Sequence, residues 1–250
     1  MQTRHKIKRK LRKHTDSLGI KGLNQLNLPG SLLIIPDGNG RWAKQMGLAT
    51  EKGHEAGGDA MTRLLEAFIG LNTKIVGVWG FSEDNWKRDK FEVDNIMRVV
   101  KETTEINLNK MQKHGIKFLV LGSKAKIKKT YPEVFKTLEK AQKLTSKNNN
   151  KTFAVFLDYG ERFQLEEFAK EREKDKISTT YELLAKINKG LPLFDMILRT
   201  SGEQRVSGFG PLGELAEFVS VKKNLPDLEM QDIALALKEY SGRQRRFGGR

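Results

Sequence analysis

The chain has 250 residues, 38% hydrophobic and 31% charged, a composition that suits one large domain with a sizeable core. Its formal net charge of +15 calls for an anionic partner: nucleic acid, a membrane surface or phosphorylated small molecules. The absence of cysteine excludes disulfide frameworks, cysteine-based zinc sites and thiol catalysis, and no apolar run approaches the roughly 18–20 residues of a membrane span.

Residues 1–14 carry Arg4, Lys6, Lys8, Arg9, Lys10, Arg12 and Lys13 and no acid. Such a block is a solvated arm, or an attraction to anionic lipid worth about 1 kcal/mol per basic residue near the surface. An RNA-binding arm is the third option, weakened because the segment has no aromatic residue to stack on a base. No signal-peptide apolar core follows. The expected location is cytoplasmic, with residues 1–14 available for peripheral contact at the inner face of an anionic membrane. The expected organisation is a flexible basic arm over residues 1–24 and one domain over residues 25–250.

Beyond the arm, apolar runs alternate with helical patterns. Ser31–Pro36 predicts a strand, with a helix beginning near Asn39–Trp42 and another over His54–Leu71. Lys74–Phe81 predicts a strand, Glu92–His114 a helix, Ile116–Leu121 a strand and Lys124–Lys147 a helix. Then come strand Thr152–Leu157, helices Glu161–Lys174 and Thr180–Lys189, strands Phe194–Leu198 and Ala216–Val221, and helix Met230–Tyr240. Most strand candidates are nearly continuous apolar stretches, the pattern of strands covered on both faces. The order predicts an α/β fold: a single domain with a central, mainly parallel six-stranded sheet flanked by helices.

In an open parallel sheet, ligands bind outside the carboxyl ends of the strands. The unusual polar clusters gather there: Asp37–Trp42 after the first strand, Ser82–Arg88 after the second, Asp158–Gly160 after the fourth and Arg199–Arg205 after the fifth. Gly38 and Gly40 let the backbone approach a ligand, a helix N-terminus adds positive potential, and Arg41 adds charge, which together make a phosphate cradle. Asp37 offers a hard oxygen to Mg²⁺. Arg199 and Arg205, near Ser201 and Ser207, suit a diphosphate. Each signal alone has an ordinary alternative: a turn at D-G-N-G, solvated arginines, a capping His54, core positions for Trp42 and Trp86.

Taken together the motifs are specific. IIPDGNGRWA, then Gly53–His54, FSEDNWKR, RTSGEQRVSGF and RRFGG resemble, in order and spacing from about residue 31 to 249, the undecaprenyl diphosphate synthase family of cis-prenyltransferases. The resemblance implies an Mg²⁺-dependent homodimer of single α/β domains that condenses isopentenyl diphosphate with an allylic prenyl diphosphate, such as farnesyl diphosphate. The product is a Z-polyprenyl diphosphate, a lipid-carrier precursor for glycan or cell-wall synthesis, and no nucleic-acid partner is expected. It implies Asp37 and Asn85 as catalytic residues. Gly38, Asn39, Gly40, Arg41, Trp42, His54, Ser82, Glu83, Asp84, Trp86 and Arg88 are implied as substrate-binding, as are Arg199, Arg205, Val206 and Ser207. Asp37 and Glu217 are implied as metal ligands.

The growing chain is expected in an apolar tunnel between the sheet and the helices over His54–Leu71 and Glu92–His114. The chain departs from the family pattern at Thr50, where an arginine is usual, and at Asp84, usually glutamate. It departs again at Asp158-Tyr-Gly-Glu161-Arg162, usually N-Y-G-G-R, and at Gly210–Gly213, usually an apolar, tryptophan-containing stretch. A non-catalytic partner subunit of the same fold is the competing reading, and a basic nucleic-acid-binding protein the remoter one.

Overall fold

The computed structural model describes residues 19–174 and 179–245. Most of the basic arm therefore lies outside the described residues. Its end does not: Ile20–Leu23 form a helical turn, α1, with Leu23 fully buried, and Asn24 Nδ2 donates to Gly70 O at 2.8 Å. Residues 20–24 thus pack against the folded unit.

Among the described residues six strands form one sheet: β1 (Ser31–Ile35), β2 (Ile75–Ser82), β3 (Ile116–Leu121), β4 (Lys151–Tyr159), β5 (Met196–Arg199) and β6 (Glu217–Ser220). Their order is β3-β4-β2-β1-β5-β6, and every pairing is parallel. Parallel neighbours require crossovers, supplied in part by α2 (Asn39–Gln45), α3 (Thr50–Gly70), α4 (Lys90–Lys113), α5 (Ala125–Thr130) and α6 (Pro132–Leu144). Then follow α7 (Glu161–Lys174), α8 (Thr180–Ile187) and α9 (Met230–Ser241).

The apolar runs read as strands because both faces are covered. Leu32 and Ile34 of β1 join a core with Val76, Val78, Phe118 and Phe153, packed by α3, α4, α6 and α9. Leu33 and Ile35, pointing the other way, join Trp79, Phe156, Phe194, Ile197 and Phe209. The aromatic residues of that second face meet mostly edge to face, as between Phe156 and Phe209 at 5.0 Å and 78°.

The helix expected over Lys124–Lys147 is two helices. Tyr131 sits at φ −131°, ψ 63°, between α5 and α6, and Pro132 opens α6. Proline lacks the N–H that would continue the helix and disfavours helical geometry in the residue before it, so the chain breaks at that step.

Candidate active site

β1 ends against β5, with Ile35 in register with Arg199. The next turn is locked to the β5 loop: Asp37 N donates to Thr200 Oγ1 at 2.7 Å, and that hydroxyl lies 2.7 Å from Asp37 O. Gly38 follows at φ +98°, in the left-handed region. A Cβ there would lie 2.0 Å from Ser201 Oγ and 2.3 Å from Asn224 Oδ1, so only glycine lets three chain segments meet.

That turn presents the Asp37 carboxylate to two guanidinium groups. Arg41 Nη2 donates to Oδ1 at 2.8 Å and Arg199 Nη2 to Oδ2 at 3.0 Å. Arg199 is buried, its Nη1 donates to Ser207 Oγ at 2.7 Å and to Arg205 O, and its Nε has no partner among the described residues. Arg41 also reaches Glu203 Oε1 at 2.8 Å, and Arg205 pairs with the same carboxylate. Burial works to raise the Asp37 carboxyl, but hydrogen bonds from Arg199 and Arg41 outweigh it and hold the group below its ordinary value. The arrangement keeps an ionised carboxylate between two guanidinium groups, with Glu203 bridging Arg41 to Arg205, a setting for polyanions.

A second cluster grows from α2, α3 and α4. Asn39 Nδ2 lies 3.4 Å from His54 Nδ1, His54 Nε2 lies 3.2 Å from Glu92 Oε1, and Arg88 donates to that same oxygen at 2.8 Å. An amide nitrogen only donates, so His54 Nδ1 accepts and Nε2 carries the proton toward Glu92. Burial lowers the imidazole from its ordinary value, against the opposing pull of Glu92. Gly53 and Gly57 make the approach possible, since a Cβ at either would fall 2.1 Å from Asn39 O or 2.6 Å from its side-chain amide. Asn39 Oδ1 is buried without a partner among the described residues.

The loop after β2 is a 3-10 turn, Glu83–Lys87, begun by Ser82, whose N–H donates to Asn85 Oδ1 at 3.0 Å. Asn85 lines a cavity, while Trp86 turns away and donates to Asp158 Oδ1 at 2.7 Å. Glu83 accepts from Phe163 N at 3.3 Å, and exposed Asp84 pairs with Lys87 and Arg162. Trp42 Nε1 donates to Asp227 at 2.8 Å, and Val206 stands exposed on the β5 loop.

The cavity, about 180 Å³, runs between the sheet and α3 and α4, as the tunnel was expected to. Asn39, His54, Asn85 and Arg88 lie on its wall, with Gly58, Met61, Val78, Val100 and Phe118 among the apolar lining. A polar rim thus opens into an apolar slot that suits a hydrocarbon chain with a charged head.

One expected partnership does not form within the chain. Glu217 opens β6 and pairs in register with Met196, the first residue of β5, whereas Asp37 lies two residues beyond the end of β1. The two carboxylates therefore lie at opposite ends of a parallel sheet, and Glu217 is instead paired with Arg243 at 2.9 Å. Among the described residues no three His, Asp or Glu side chains gather as a metal site. Asp37 alone still suits Mg²⁺, which takes one or two carboxylates and fills the remaining positions from substrate phosphates and water. The side chain is 26% exposed beside the Arg41 and Arg199 guanidinium groups, which leaves it accessible to such an ion.

Glu92, Thr200 and Asn224 were not among the expected site residues. Glu92 sits one helical turn after Arg88, a spacing that flags an ion pair in sequence; Thr200 lies inside the RTSG motif itself. Asn224 carried no such signal.

A buried parallel sheet with arginines, a carboxylate and an apolar slot at its carboxyl rim defines a class of diphosphate-binding enzyme. Residues 35–248 match the family model described as "Putative undecaprenyl diphosphate synthase". An isoprenyl transferase of Leptospira interrogans is 34% identical over 91% of this chain and 98% of that relative. Dehydrodolichyl diphosphate synthase 1 of Arabidopsis thaliana is 32% identical over 92% of this chain and 79% of that relative. The crystal structure of lavandulyl diphosphate synthase from Lavandula x intermedia, in complex with dimethylallyl diphosphate, superposes with a TM-score of 0.77 at 27% identity, covering 88% and 98% of the two chains. The chain belongs to the undecaprenyl diphosphate synthase family of cis-prenyltransferases.

Proposed function

We propose that this rim binds an allylic prenyl diphosphate, such as farnesyl diphosphate, beside isopentenyl diphosphate and joins them into a Z-polyprenyl diphosphate that serves as a lipid-carrier precursor. The observation that carries the reading is the buried Arg199, held on Asp37 with one guanidinium nitrogen unpartnered among the described residues, where Asp37 sits between Pro36 and Asn39 of the apolar slot's lining. An intact Asp37–Arg41–Arg199 cluster favours an active enzyme over a non-catalytic partner subunit.

In the transfer, the allylic C–O bond breaks and diphosphate leaves with the electron pair. The alkene of isopentenyl diphosphate forms the new C–C bond, and a proton is lost to set the Z double bond. Arg41 and the first-turn N–H groups of α2 hold the allylic diphosphate, while Arg199, Arg205 and Ser207 hold that of the second substrate. The growing chain occupies the slot between the sheet and α3 and α4. Asp37 would hold Mg²⁺, which would supply positive charge to the departing diphosphate. Asn85 is a poor base, since an amide hardly accepts a proton, and acts by orienting the reacting groups.

Two further readings complete the proposal. The protein pairs as a homodimer through the side of outer strand β6, where Leu215 is exposed; sedimentation equilibrium checks this, and a monomer at micromolar concentration would reject it. Residues 1–14 attach it peripherally to anionic membrane. Vesicle sedimentation with and without them checks that reading, and equal binding by both forms would end it. No described helix is long and apolar enough to cross a membrane.

The activity itself is tested with labelled isopentenyl diphosphate, Mg²⁺ and a panel of allylic primers, followed by chromatography. Primer-dependent label in long apolar products is expected, and its absence with every primer would remove the reading.

A further inference from the structure

Asp158 is a buried carboxylate that the reaction just described does not use, and the sheet's own irregularity aims it. Along β2 and β4, Trp79 pairs with Phe156, Phe81 with Leu157 and Ser82 with Tyr159. Gly80 is therefore an extra residue on one strand and Asp158 an extra residue on the other. Asp158 takes φ +51°, in the left-handed region that aspartate and asparagine tolerate better than other side chains. Bulges re-aim side chains, and this one directs a carboxyl at the turn that carries Asn85.

What it meets there is the indole of Trp86, whose Nε1 donates to Oδ1 at 2.7 Å. Lys126 Nζ lies 4.1 Å from the centroid of the same indole and lowers the carboxyl electrostatically, while burial, the larger effect, raises it. Tyr131 stacks on the indole at 6.2 Å and 19°, Phe81 meets it edge-on at 4.9 Å, and Tyr131 is itself held by Asp94 at 2.6 Å. The indole is thus pinned by packing and by one charged acceptor. Asn85 is the residue immediately before it.

We propose that Asp158 is a positioning residue for prenyl transfer: through the Trp86 indole it sets the Glu83–Lys87 turn, and with it the place of Asn85, without touching substrate. The proposal rests on the reading of Asn85 as a site residue. Asparagine offers the same oxygen acceptor without the charge, so Asp158→Asn is the conservative variant and Asp158→Ala the disruptive one.

The test measures steady-state kinetics with farnesyl and labelled isopentenyl diphosphates, together with the indole N–H resonances, for D158A, D158N, W86F and D158A/W86F. In D158A, kcat is expected to fall tenfold or more with both KM values within threefold, and the Trp86 N–H resonance to shift. D158N is expected to keep kcat within threefold and the resonance near its place. W86F is expected to match D158A, and the double variant to be no worse than either single one, because both remove the same link. A D158A enzyme with a shifted resonance but kcat within twofold of wild type overturns the proposal, as do losses that multiply in the double variant. Should D158A fail to fold, W86F carries the test alone: phenylalanine keeps the ring and lacks the donor, and unchanged kcat overturns the proposal. An inactive wild-type protein would instead overturn the prenyl-transfer reading, and this inference with it.

Discussion

Arg199 and Asp37 close on each other across the ends of adjacent strands, Nη2 to Oδ2 at 3.0 Å, the cation buried and the carboxylate open to the rim. The carboxylate neutralises a guanidinium that would otherwise be buried with only neutral acceptors, and it keeps one face toward incoming phosphate and metal. Asp37→Ala is expected to lower turnover by at least about a hundredfold, the scale on which preorganised electrostatic groups act. Circular dichroism should show a retained fold. Wild-type turnover in that variant would take Asp37 out of the mechanism.

The same pair makes stability depend on acid. Hydrogen bonds from Arg199 and Arg41 hold Asp37 below its ordinary 3.8 despite the opposing effect of burial. A depressed carboxyl contributes stability that is complete above the unfolded value and is lost as pH falls through the folded one. Thermal melting of Asp37→Asn is therefore expected to fall less steeply than wild type below about pH 4. Parallel curves for the two proteins would contradict this.

Gly38→Ala tests the turn. Its φ of +98° is a region an L side chain rarely enters, and the added methyl would fall on Ser201 and Asn224. An incompatible glycine replacement destabilises by more than about 1 kcal/mol. The midpoint of urea unfolding should drop and activity should fall with it, because Asp37 and the start of α2 must shift. An alanine variant as stable as wild type would mean the turn is not held as described.

The sheet was legible because parallel strands covered on both faces read as unbroken apolar runs, and β3 matches its expected limits residue for residue. The rim was legible because four polar clusters follow strands that all point one way. The place of Glu217 was legible too: it falls near the start of the strand predicted over Ala216–Val221, away from the carboxyl ends where the other clusters gather. Two things were not. The break at Pro132 was overridden by helical periodicity on both sides of it. The indole bond of Asp158 depends on a bulge, a mismatch between two strands that neither strand displays alone.

His54 ties the cluster of Asn39, Arg88 and Glu92 to pH on the acid side of neutrality. Burial lowers it from its ordinary 6.5, and the hydrogen bond with Glu92 opposes that without reversing it. The folded protein holds the ring neutral while the unfolded chain takes up a proton near 6.5. Stability is then complete above that pH and declines as pH falls toward the lower folded value. In His54→Gln the decline between pH 7 and 5 should be shallower, as read by urea unfolding at several pH values. An identical decline would show that the ring does not titrate this way.

Val100 lies on the wall of the slot, on the α4 side, with Val99, Thr103 and Thr104 as neighbours in the lining. Val100→Phe adds volume to a space of about 180 Å³, and overpacking of this kind costs typically about 1–3 kcal/mol. The chain end must displace that ring or stop short of it. Products made with farnesyl diphosphate should shift to shorter polyprenyl diphosphates, with the first condensation largely preserved because the diphosphate-binding arginines are untouched. Reversed-phase chromatography of the hydrolysed products reads the change. An unaltered product distribution from a folded, active V100F enzyme would mean the hydrocarbon grows somewhere other than between the sheet and α3 and α4.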